Sequence, residues 1–448
     1  MNNRIIRRAG RAYWAVTVVA TCLLAPTSQG SDAYIATDLG TLGGTIAAAA
    51  AVNNSGQVVG YAYDVGNTNL HPVRFSGTGS NNKDLGGLNG ETTGSIGRAY
   101  DINDAGVIVG MADVNGFDHP VRFSGTGTNN TQLDLANPGN NTAARAINQS
   151  GQIVGTALTS TPDGSFRHAT LFSDSGNTDL GCLNGPTNGT FSIAYAINNT
   201  GAAVGHSVWA GISGRATLFS GGNAYDLGLL VNNPGYNSYA YSINDAGVIV
   251  GGGNLTSGSF HAIRYSGTGS NNVDLGTLGG TNSYAFAINN AGVVVGNSQY
   301  STSSSTFHAF IYKDGVMTDI NSLVINPSGF TDIRLNSDSG EIPGRCLNDA
   351  GQIAAISTGG GSTRAVLLTP YNLQASAVSK VGNSITVTFN AIAGKTYRLE
   401  SATALTATIN WQMISGVNDF TATTTGPAPI TAPTDGNSTS FYRVRLLP

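Results

Sequence analysis

Short apolar runs separated by turn residues recur along the chain, and no helical periodicity extends beyond a few residues after residue 30. The stretch between residues 283 and 320 shows this pattern most clearly. Four of its segments have the length and residue types of strands: Ser283–Ile288, Val293–Ser298, His308–Tyr312 and Val316–Ile320. The turns between them predict four antiparallel strands, which is the content of one propeller blade.

Three sequence elements each occur seven times, and 45 to 50 residues separate successive copies of the first. The first is Asp-Leu-Gly or a close variant, with its acids at Asp38, Asp84, Asp134, Asp179, Asp226, Asp274 and Asp319. The second reads Ala-Ile-Asn-x-x-Gly-x-Val-Val-Gly, with its asparagines at Asn53, Asn103, Asn148, Asn198, Asn244, Asn289 and Asn348. Each Asn with the Gly three residues later predicts a hairpin turn. The third opens an apolar run, at His71, His119, His168, Arg215, His261, His308 and Arg364.

The order of these elements at the two ends of the repeat region predicts a closed ring. The region begins with an Asp-Leu-Gly strand near Tyr34–Gly40 that no hairpin precedes, and it ends at Arg364–Leu368 without such a strand. The N-terminal strand can therefore complete the seventh blade and cover edges that a linear array would expose. We expect an all-β chain with a seven-bladed β-propeller over residues 34–369, and an open β-solenoid is the alternative.

Two runs of Asp-Leu-Gly-Thr-Leu-Gly-Gly, at 38–44 and 274–280, resemble the HAF family of extracellular repeats. Ala287–Gly296 and His308–Phe310 resemble the same family. The resemblance extends over about 330 residues and implies an exported bacterial protein, without implying a defined activity. Three sites depart from the family pattern, namely Asp134-Leu-Ala136, Arg215 and Arg364.

The His or Arg that opens the third strand of a unit should face the Asp near the end of the fourth strand. The expected pairs are His71–Asp84, His119–Asp134, His168–Asp179, Arg215–Asp226, His261–Asp274, His308–Asp319 and, through ring closure, Arg364–Asp38. One interpretation is a set of catalytic dyads. The other is a pair that ties two strands of each blade together, as a similar His–Asp network does in WD-repeat blades. Seven copies favour the structural interpretation, because active sites are rarely repeated around a ring.

Residues 1–30 are predicted to be a signal peptide, because four arginines precede an apolar run at Ala12–Ala25. A retained membrane anchor is the alternative. Removing those four arginines from 21 basic residues leaves 17 against 25 acidic ones, a net charge of about −8. Such a charge disfavours nucleic acid as a partner, and no stable membrane span is expected after signal removal. We therefore expect an extracellular or periplasmic protein.

Variable loops joining the second and third strands, or crossing to the next blade, open on one face of a propeller and form the favoured binding surface. Aromatic residues predicted on that face are Tyr63, Trp209, Tyr236 and Tyr300. The longest departure from the repeat is the seventh crossing, Asn321–Arg345, which we predict to be a charged insertion on the propeller rim. The candidate binding residues are Asp332, Arg334, Asp338, Glu341, Arg345 and Trp209. A solvated loop packed on its neighbours is the alternative for the insertion.

Residues 374–448 follow a different pattern and predict a small immunoglobulin-like β-sandwich. Its predicted strands are Ser384–Asn390, Lys395–Glu400, Trp411–Ile414 and Phe441–Leu446. This region resembles a small C-terminal domain appended to many secreted bacterial proteins, with Trp411 as the expected core anchor.

No nucleophile–base set, metal cluster or phosphate loop emerges, so we predict no catalytic residue, no metal and no cofactor. Cys182 and Cys346 occupy different positions in different repeats and are expected to be buried and unpaired. The sequence favours a secreted, non-catalytic interaction or adhesion module that binds a glycan or a cell-envelope component, such as an envelope protein. The alternative is an extracellular propeller enzyme acting on polysaccharide, a lyase or hydrolase, which needs one asymmetric cluster of acids, His or Tyr near the ring axis.

Overall fold

The computed structural model describes residues 33–77, 81–88, 97–125, 129–134, 142–161, 164–183, 191–208, 214–233, 235–256, 258–267, 269, 271–303, 306–325, 330–337, 344–359, 361–371, 373, 375–402, 412–434 and 441–447. The predicted signal peptide at 1–30 lies outside these residues. The chain divides into two compact units, of which one is Asp32–Pro370 and the other includes Tyr371–Pro448. Within the described residues regular structure is strand, apart from a short 3-10 helix at Ile320–Ser322.

Seven antiparallel four-stranded blades make up the first unit, and in the first six blades the strands follow one another from the inner strand to the outer edge. Blade I contains β2 (Gly43–Val52), β3 (Val58–Asp64), β4 (Leu70–Phe75) and β5 (Lys83–Asp84). Blade II contains β6 (Gly97–Ile102), β7 (Ile108–Val114), β8 (Phe117–Phe123) and β9 (Thr131–Gln132). Blade III contains β10 (Ala143–Ile147), β11 (Ile153–Thr161), β12 (Gly164–Phe172) and β13 (Thr178–Asp179).

The remaining blades repeat this arrangement. Blade IV contains β14 (Phe191–Ile197), β15 (Ala203–Val208), β16 (Gly214–Ser220) and β17 (Asn223–Asp226). Blade V contains β18 (Ser238–Ile243), β19 (Ile249–Thr256), β20 (Ser259–Tyr265) and β21 (Val273–Asp274). Blade VI contains β22 (Ser283–Ile288), β23 (Val294–Gln299), β24 (Phe307–Lys313) and β25 (Val316–Asp319). Blade VII contains β26 (Ile333–Arg334), β27 (Ile353–Gly359), β28 (Ser362–Pro370) and β1 (Tyr34–Asp38).

The first strand of the chain closes the ring, as the sequence predicted. β1 pairs antiparallel with β28, from Tyr34 opposite Pro370 to Asp38 opposite Val366. The N–H of Leu39 continues the ladder by donating to the carbonyl of Ala365 at 2.9 Å. The outer edge of blade VII is therefore made by residues more than 300 positions away in sequence, so the blade is complete only when both ends of the repeat region are ordered.

The asparagine of each predicted hairpin turn also links neighbouring blades. Its Oδ1 accepts the N–H four residues on, as Asn244 does from Val248 at 2.9 Å, which satisfies the turn. Its Nδ2 donates to the backbone carbonyl of the equivalent asparagine in the next blade. These links run Asn53–Asn103–Asn148–Asn198–Asn244–Asn289–Asn348 and back to Asn53, at 2.9 to 3.2 Å. We call this closed cycle of buried side chains the asparagine ring.

A second cycle lies one residue further along each turn. Here the backbone N–H of one blade donates to the side-chain oxygen of the next, as from Asn54 to Asp104 at 2.8 Å. The members are Asn54, Asp104, Gln149, Asn199, Asp245, Asn290 and Asp349, with the last donating to Asn54 at 2.9 Å. Asn, Asp and Gln all supply an acceptor oxygen, which explains why this position varies among them while the neighbouring ring position does not.

Glycine in the second strand of a blade is required by a bulge in the inner strand beside it. A Cβ at Gly251 would lie 1.9 Å from the carbonyl oxygen of Tyr239, and a Cβ at Gly60 would lie 2.0 Å from that of Ala48. Six blades share this glycine, at Gly60, Gly110, Gly155, Gly205, Gly251 and Gly296. Blade VII has Ala355 instead, because its inner strand is interrupted at that point.

The second unit is a two-sheet sandwich. One sheet contains β29 (Ala375–Val381), β30 (Ser384–Ala391) and β34 (Gly426–Pro433), and the other contains β31 (Thr396–Ala402), β32 (Gln412–Met413), β33 (Phe420–Thr421) and β35 (Phe441–Leu446). Phe389 and Tyr397 are fully buried between the sheets. The strand β34 was not predicted from the sequence because it contains three prolines. Prolines are tolerated here because β34 lies at the edge of its sheet. Trp411, the expected core anchor, lies outside the described residues.

We expect Asn244→Ala to lower the free energy of unfolding by about 1–3 kcal/mol, because it leaves the buried carbonyl of Asn289 and the N–H of Val248 without their partner. Urea unfolding followed by tryptophan fluorescence measures this loss. The control is Asn223→Ala, an exposed turn residue whose side chain bonds within its own turn to Gly221. Equal midpoints for the two variants would contradict a stabilising role for the asparagine ring.

Candidate functional site

The structure brings together both members of every predicted His/Arg–Asp pair. The N–O distances are 3.1 Å for His71–Asp84, 3.2 Å for His119–Asp134, 2.8 Å for His168–Asp179, 3.6 Å for Arg215–Asp226, 2.9 Å for His261–Asp274, 2.7 Å for His308–Asp319 and 3.2 Å for Arg364–Asp38. Every histidine in these pairs uses Nδ1. The same contact around the whole ring fits a structural role, because all seven blades make it whatever other residues surround the pair.

The Asp of the Asp-Leu-Gly element also forms a hydrogen bond with the backbone of the glycine two residues later. The carboxylate of Asp179 accepts the N–H of Gly181 at 2.7 Å, and that of Asp274 accepts the N–H of Gly276 at 2.8 Å. Both glycines have a positive φ, of 80° and 81°, which other residues adopt at a cost. Each acid thus bonds the third strand on one side and fixes the turn that leaves the blade on the other.

Blade II departs from this register by two residues. Gln132 lies opposite Val121, as Asp84 lies opposite Val73 in blade I, so Gln132 occupies the position of the acid. The Asp134 carboxylate nevertheless reaches Nδ1 of His119, and Gln132 Nε2 lies 3.1 Å from the same nitrogen. Burial raises the pKa of Asp134, although the Gln132 amide and His119 act in the opposite direction. Sequence alignment on the Asp alone therefore misplaces this unit by two positions.

Two of the pairs have an additional acid. Asp64 lies 3.9 Å from Nε2 of His71, and Asp332 lies 3.8 Å from Nε2 of His308. Tyr300, whose side chain is 42% exposed, stacks on His308 at a centroid distance of 4.1 Å. Asp332, predicted as a binding residue on the rim, is thus adjacent to the blade VI pair.

The predicted seventh crossing is divided between two locations. Ile333–Arg334 pairs with β27 and belongs to the inner strand of blade VII, and Leu347 resumes that strand by bridging to Ile353. The described residues between them, 335–337 and 344–346, form what we call the inner insertion. It starts where the other blades have a bulge, so this segment lies among the inner strands and not on the rim that the sequence suggested. Asp338, Glu341 and Trp209 lie outside the described residues.

The inner insertion contacts several blades. The backbone of Leu335 exchanges hydrogen bonds with the Asn297 side chain at 2.8 and 2.9 Å, and the Tyr61 hydroxyl lies 3.2 Å from Asn336 Oδ1. The N–H of Val52 donates to the carbonyl of Arg345 at 2.9 Å. The Arg345 guanidinium donates to the carbonyl of Ile147 at 2.9 Å. The insertion is therefore held by blades I, III and VI.

Asp101 supplies an acid that docks this insertion in blade II. Its carboxylate accepts the N–H groups of Ile102 and Ile147, both at 2.9 Å, and interacts with the backbone and guanidinium of Arg345. The side chain is 2% exposed, and burial raises the pKa of its carboxyl. Burial likewise raises the pKa of the neighbouring Cys346 thiol to about 12, so this cysteine stays protonated. Cys182 is also buried.

Alanines in blade I leave space for the insertion. The inner strand β2 has alanine from 47 to 51, all buried. A Cβ at Gly344 would lie 1.9 Å from the carbonyl oxygen of Tyr100 and 3.5 Å from the Ala51 Cβ. Small residues on both partners thus allow the backbones to approach.

Blades IV to VI line the axis differently, with aromatic residues. Tyr195, Tyr241 and Phe286 occupy the bulge position of their inner strands, and Tyr239 and Tyr284 lie two residues earlier. These five residues form what we call the aromatic arc. Its ring centroids lie 5.7 Å apart for Tyr195–Tyr241, 5.9 Å for Tyr239–Tyr241, 5.5 Å for Tyr241–Phe286 and 6.0 Å for Tyr284–Phe286. Tyr195, Tyr239 and Tyr284 are half-buried, whereas Tyr241 and Phe286 are buried.

Cations continue the same layer into blades II and III. Arg145 occupies the bulge position of β10, and its guanidinium lies 4.5 Å above the ring of Tyr100. Arg98 lies 5.5 Å above the ring of Tyr61. Burial raises the pKa of Tyr195, while Arg145 acts in the opposite direction, so its phenol stays protonated at neutral pH.

His206 lies beside the aromatic arc. Its ring centroid is 5.4 Å from Phe191, 5.5 Å from Tyr195 and 4.9 Å from Tyr239. Among the described residues its Nδ1 has no hydrogen-bond partner, although the side chain is only 8% exposed. Burial lowers the pKa of His206 to about 4, so the imidazole is neutral at physiological pH.

The arc was not predicted from the sequence, and the insertion was predicted on the rim, although both had a signal in the repeat. The arc residues stand three or five positions before the ring asparagine. At these positions blades I to III have Ala48 and Ala50, Arg98 and Tyr100, and Ala143 and Arg145. The insertion was marked by Ala355 in place of the repeated glycine. The described residues contain no group of three or more His, Cys, Asp or Glu side chains placed to share a metal ion. Nor does the described part of the chain contain a helix with the length and apolar character needed to cross a bilayer.

Comparisons with known proteins concern the fold alone. No family model and no curated protein matches the sequence. Among solved structures, the chain is similar to a prolyl endopeptidase (TM-score 0.44, 9% identity) and covers 81% of itself and 56% of that chain. For puromycin hydrolase the TM-score is 0.43 at 11% identity, with 80% and 62% covered. For the extracellular domain of the hybrid two-component system BT4673 from B. thetaiotaomicron the TM-score is 0.40 at 11% identity, with 82% and 45% covered. The chain thus spans less than two thirds of each of these proteins.

The blade pairs predict a loss of stability in acid. Burial opposes ionisation of Asp179, but hydrogen bonds from His168 and Gly181 outweigh it and lower the pKa of this carboxyl. Its contribution to stability is present above the unfolded carboxyl pKa of about 3.9 and is lost as the pH falls through the lower folded value. Asp179→Asn should therefore reduce stability at neutral pH and flatten its decline in acid, measured as urea midpoints between about pH 6 and pH 3. Asp174→Asn, whose side chain is 71% exposed, is the control and should keep the wild-type pH profile.

Proposed function

We propose that this protein is an exported, non-catalytic binding module and that its ligand is a glycan held against the aromatic arc. The all-β repeat architecture, the resemblance to HAF-type extracellular repeats and the predicted signal peptide support an extracellular or periplasmic location. Asp332, Arg334 and Arg345 remain candidates for secondary contacts. Arg345, however, bonds Ile147 and Asp101 within the propeller, which makes the arc the stronger candidate.

The asymmetry of the arc is the observation that carries this proposal. Blades I and V share the same strand topology and the same asparagine ring, yet blade I has Ala48 and Ala50 where blade V has Tyr239 and Tyr241. Folding of a blade therefore does not require aromatic residues at these positions. Aromatic faces that remain partly accessible provide flat apolar surfaces, and the C–H face of a sugar ring can stack on such a surface while its hydroxyl groups stay polar.

A polysaccharide lyase or hydrolase is the second candidate, because His206 with Tyr195 and Tyr239 forms one asymmetric His–Tyr cluster near the axis. Its single imidazole is neutral at physiological pH and could accept a proton. Incubation with neutral and uronate polysaccharides, followed by measurement of new reducing ends and of unsaturated products, separates the candidates. If wild type cleaves one of these polysaccharides and Tyr239→Ala abolishes the cleavage, the protein is an enzyme and the proposal of a non-catalytic binding module is wrong.

We expect isothermal titration of the full chain to detect binding of at least one member of a panel of neutral hexose and uronate hexasaccharides. Tyr239→Ala should weaken that binding by about tenfold, because it removes a stacking surface from the arc. Tyr225→Ala is the matched control, since Tyr225 is 50% exposed on an outer strand and belongs to no arc contact. Equal binding by both variants would remove the arc from the binding site, and no binding by wild type would refute the glycan proposal.

A further inference from the structure

We infer that Nδ1 of His206 forms a hydrogen bond with a hydroxyl group of a neutral hexopyranose unit that stacks against Tyr239. This inference rests on the proposed glycan binding. A buried polar atom without a hydrogen-bond partner destabilises a fold. Such atoms therefore persist mainly where a ligand supplies the missing hydrogen bond. Nδ1 of His206 is such an atom among the described residues. The rings of Phe191, Tyr195 and Tyr239 surround the imidazole, and none of them forms a hydrogen bond with Nδ1.

The repeat shows that the fold does not demand histidine at this position. Residue 206 follows the bulge-facing Gly205. The equivalent positions in the other blades hold Tyr61, Met111, Thr156, Gly252, Asn297 and Ile356. Six different residue types thus occupy the equivalent position of the second strand. The blade fold therefore does not require a histidine at position 206.

The same comparison indicates what this position contacts. Tyr61 and Asn297 occupy it in blades I and VI, and both use their polar atoms to hold the inner insertion, through Asn336 and Leu335. In these two blades the position thus faces the inner insertion, whereas Thr156 in blade III bonds the carbonyls of His168 and Ser192. Hydrogen bonds of the described insertion residues fall on blades I, II, III and VI. In blade IV, on the opposite side of the ring from blade VII, Nδ1 of His206 has no hydrogen-bond partner within the part of the chain that the structure describes.

The chemistry of the site favours a hydroxyl group. Because burial lowers the pKa of His206 to about 4, the ring is neutral and Nδ1 is either an acceptor or a donor, depending on the tautomer. A hydroxyl group both donates and accepts, so it satisfies Nδ1 in either tautomer, whereas a carboxylate satisfies only one. A neutral pyranose combines such hydroxyl groups at its edge with an apolar face for Tyr239 and Tyr195.

The test compares two substitutions in the full chain. His206→Asn places an amide oxygen or nitrogen where Nδ1 stands, and His206→Phe fills the space with a ring that cannot hydrogen-bond. Titration uses the neutral hexose hexasaccharide of the panel that wild type binds most tightly. We expect His206→Phe to bind about tenfold more weakly and His206→Asn to retain most of the affinity. We also expect His206→Phe to unfold at a higher urea concentration than wild type, because the unsatisfied nitrogen is gone.

Nitrogen NMR of the wild-type chain labelled in its histidines gives a readout that does not depend on any variant folding. Addition of the same hexasaccharide should shift the Nδ1 resonance of His206 and leave that of His261 in place, since His261 Nδ1 is bonded to Asp274 at 2.9 Å. Wild-type affinity in His206→Phe, or an unmoved Nδ1 resonance at saturation, overturns the role of His206. If Tyr239→Ala weakens binding in that case, glycan binding at the arc stands without it. If wild type binds only uronate saccharides, the neutral-sugar assignment fails, and if it binds none, both proposals fail.

Discussion

The asparagine ring is the interaction on which the propeller depends. Each ring asparagine shapes its own hairpin with Oδ1 and reaches the next blade with Nδ2, so local turn geometry and ring closure use the same side chain. The cycle closes only when all seven inner turns are in place, since Asn348 donates back to Asn53. Asparagine suits this place because one amide offers a donor and an acceptor at fixed separation, and an aspartate would lose the donor. The second cycle, which needs only an acceptor, tolerates Asp, Asn and Gln.

With the turns held together in this way, other positions of the blade are free to differ. The His/Arg–Asp pairs act further out, where they join the third and fourth strands and fix the turn that leaves the blade. Blade II shows how tolerant this contact is, since its acid is displaced by two residues and still reaches His119. The interior layer around the axis varies most, with alanines in blade I, cations in blades II and III, and aromatic rings in blades IV to VI.

This variation gives the axis two unlike sides. Small residues in blade I and the buried acid Asp101 in blade II accommodate the inner insertion of blade VII. The aromatic arc and His206 lie on the side of blades IV to VI. The described insertion residues bond blade VI there, through Asn297, but make no hydrogen bond to blades IV and V. Among the described residues the pseudo-symmetric ring is thus asymmetric at its axis, and the proposed ligand would contact only the side of blades IV to VI.

The sequence by itself determined the all-β class, the number of blades and their closure by the first strand, because the period, the turn residues and the split unit at the two ends are local or countable features. It also paired the histidines with the acids, since the third and fourth strands form a hairpin that keeps the two residues close, although the acid usually lies opposite the residue two positions after the histidine. Only the tertiary structure decided that the asparagines join the blades, that Asn321–Arg345 enters the inner strand, and that His206 meets Tyr195 and Tyr239. These contacts depend on curvature that brings distant turns and strands to a common axis, and spacing along the chain does not encode that distance directly.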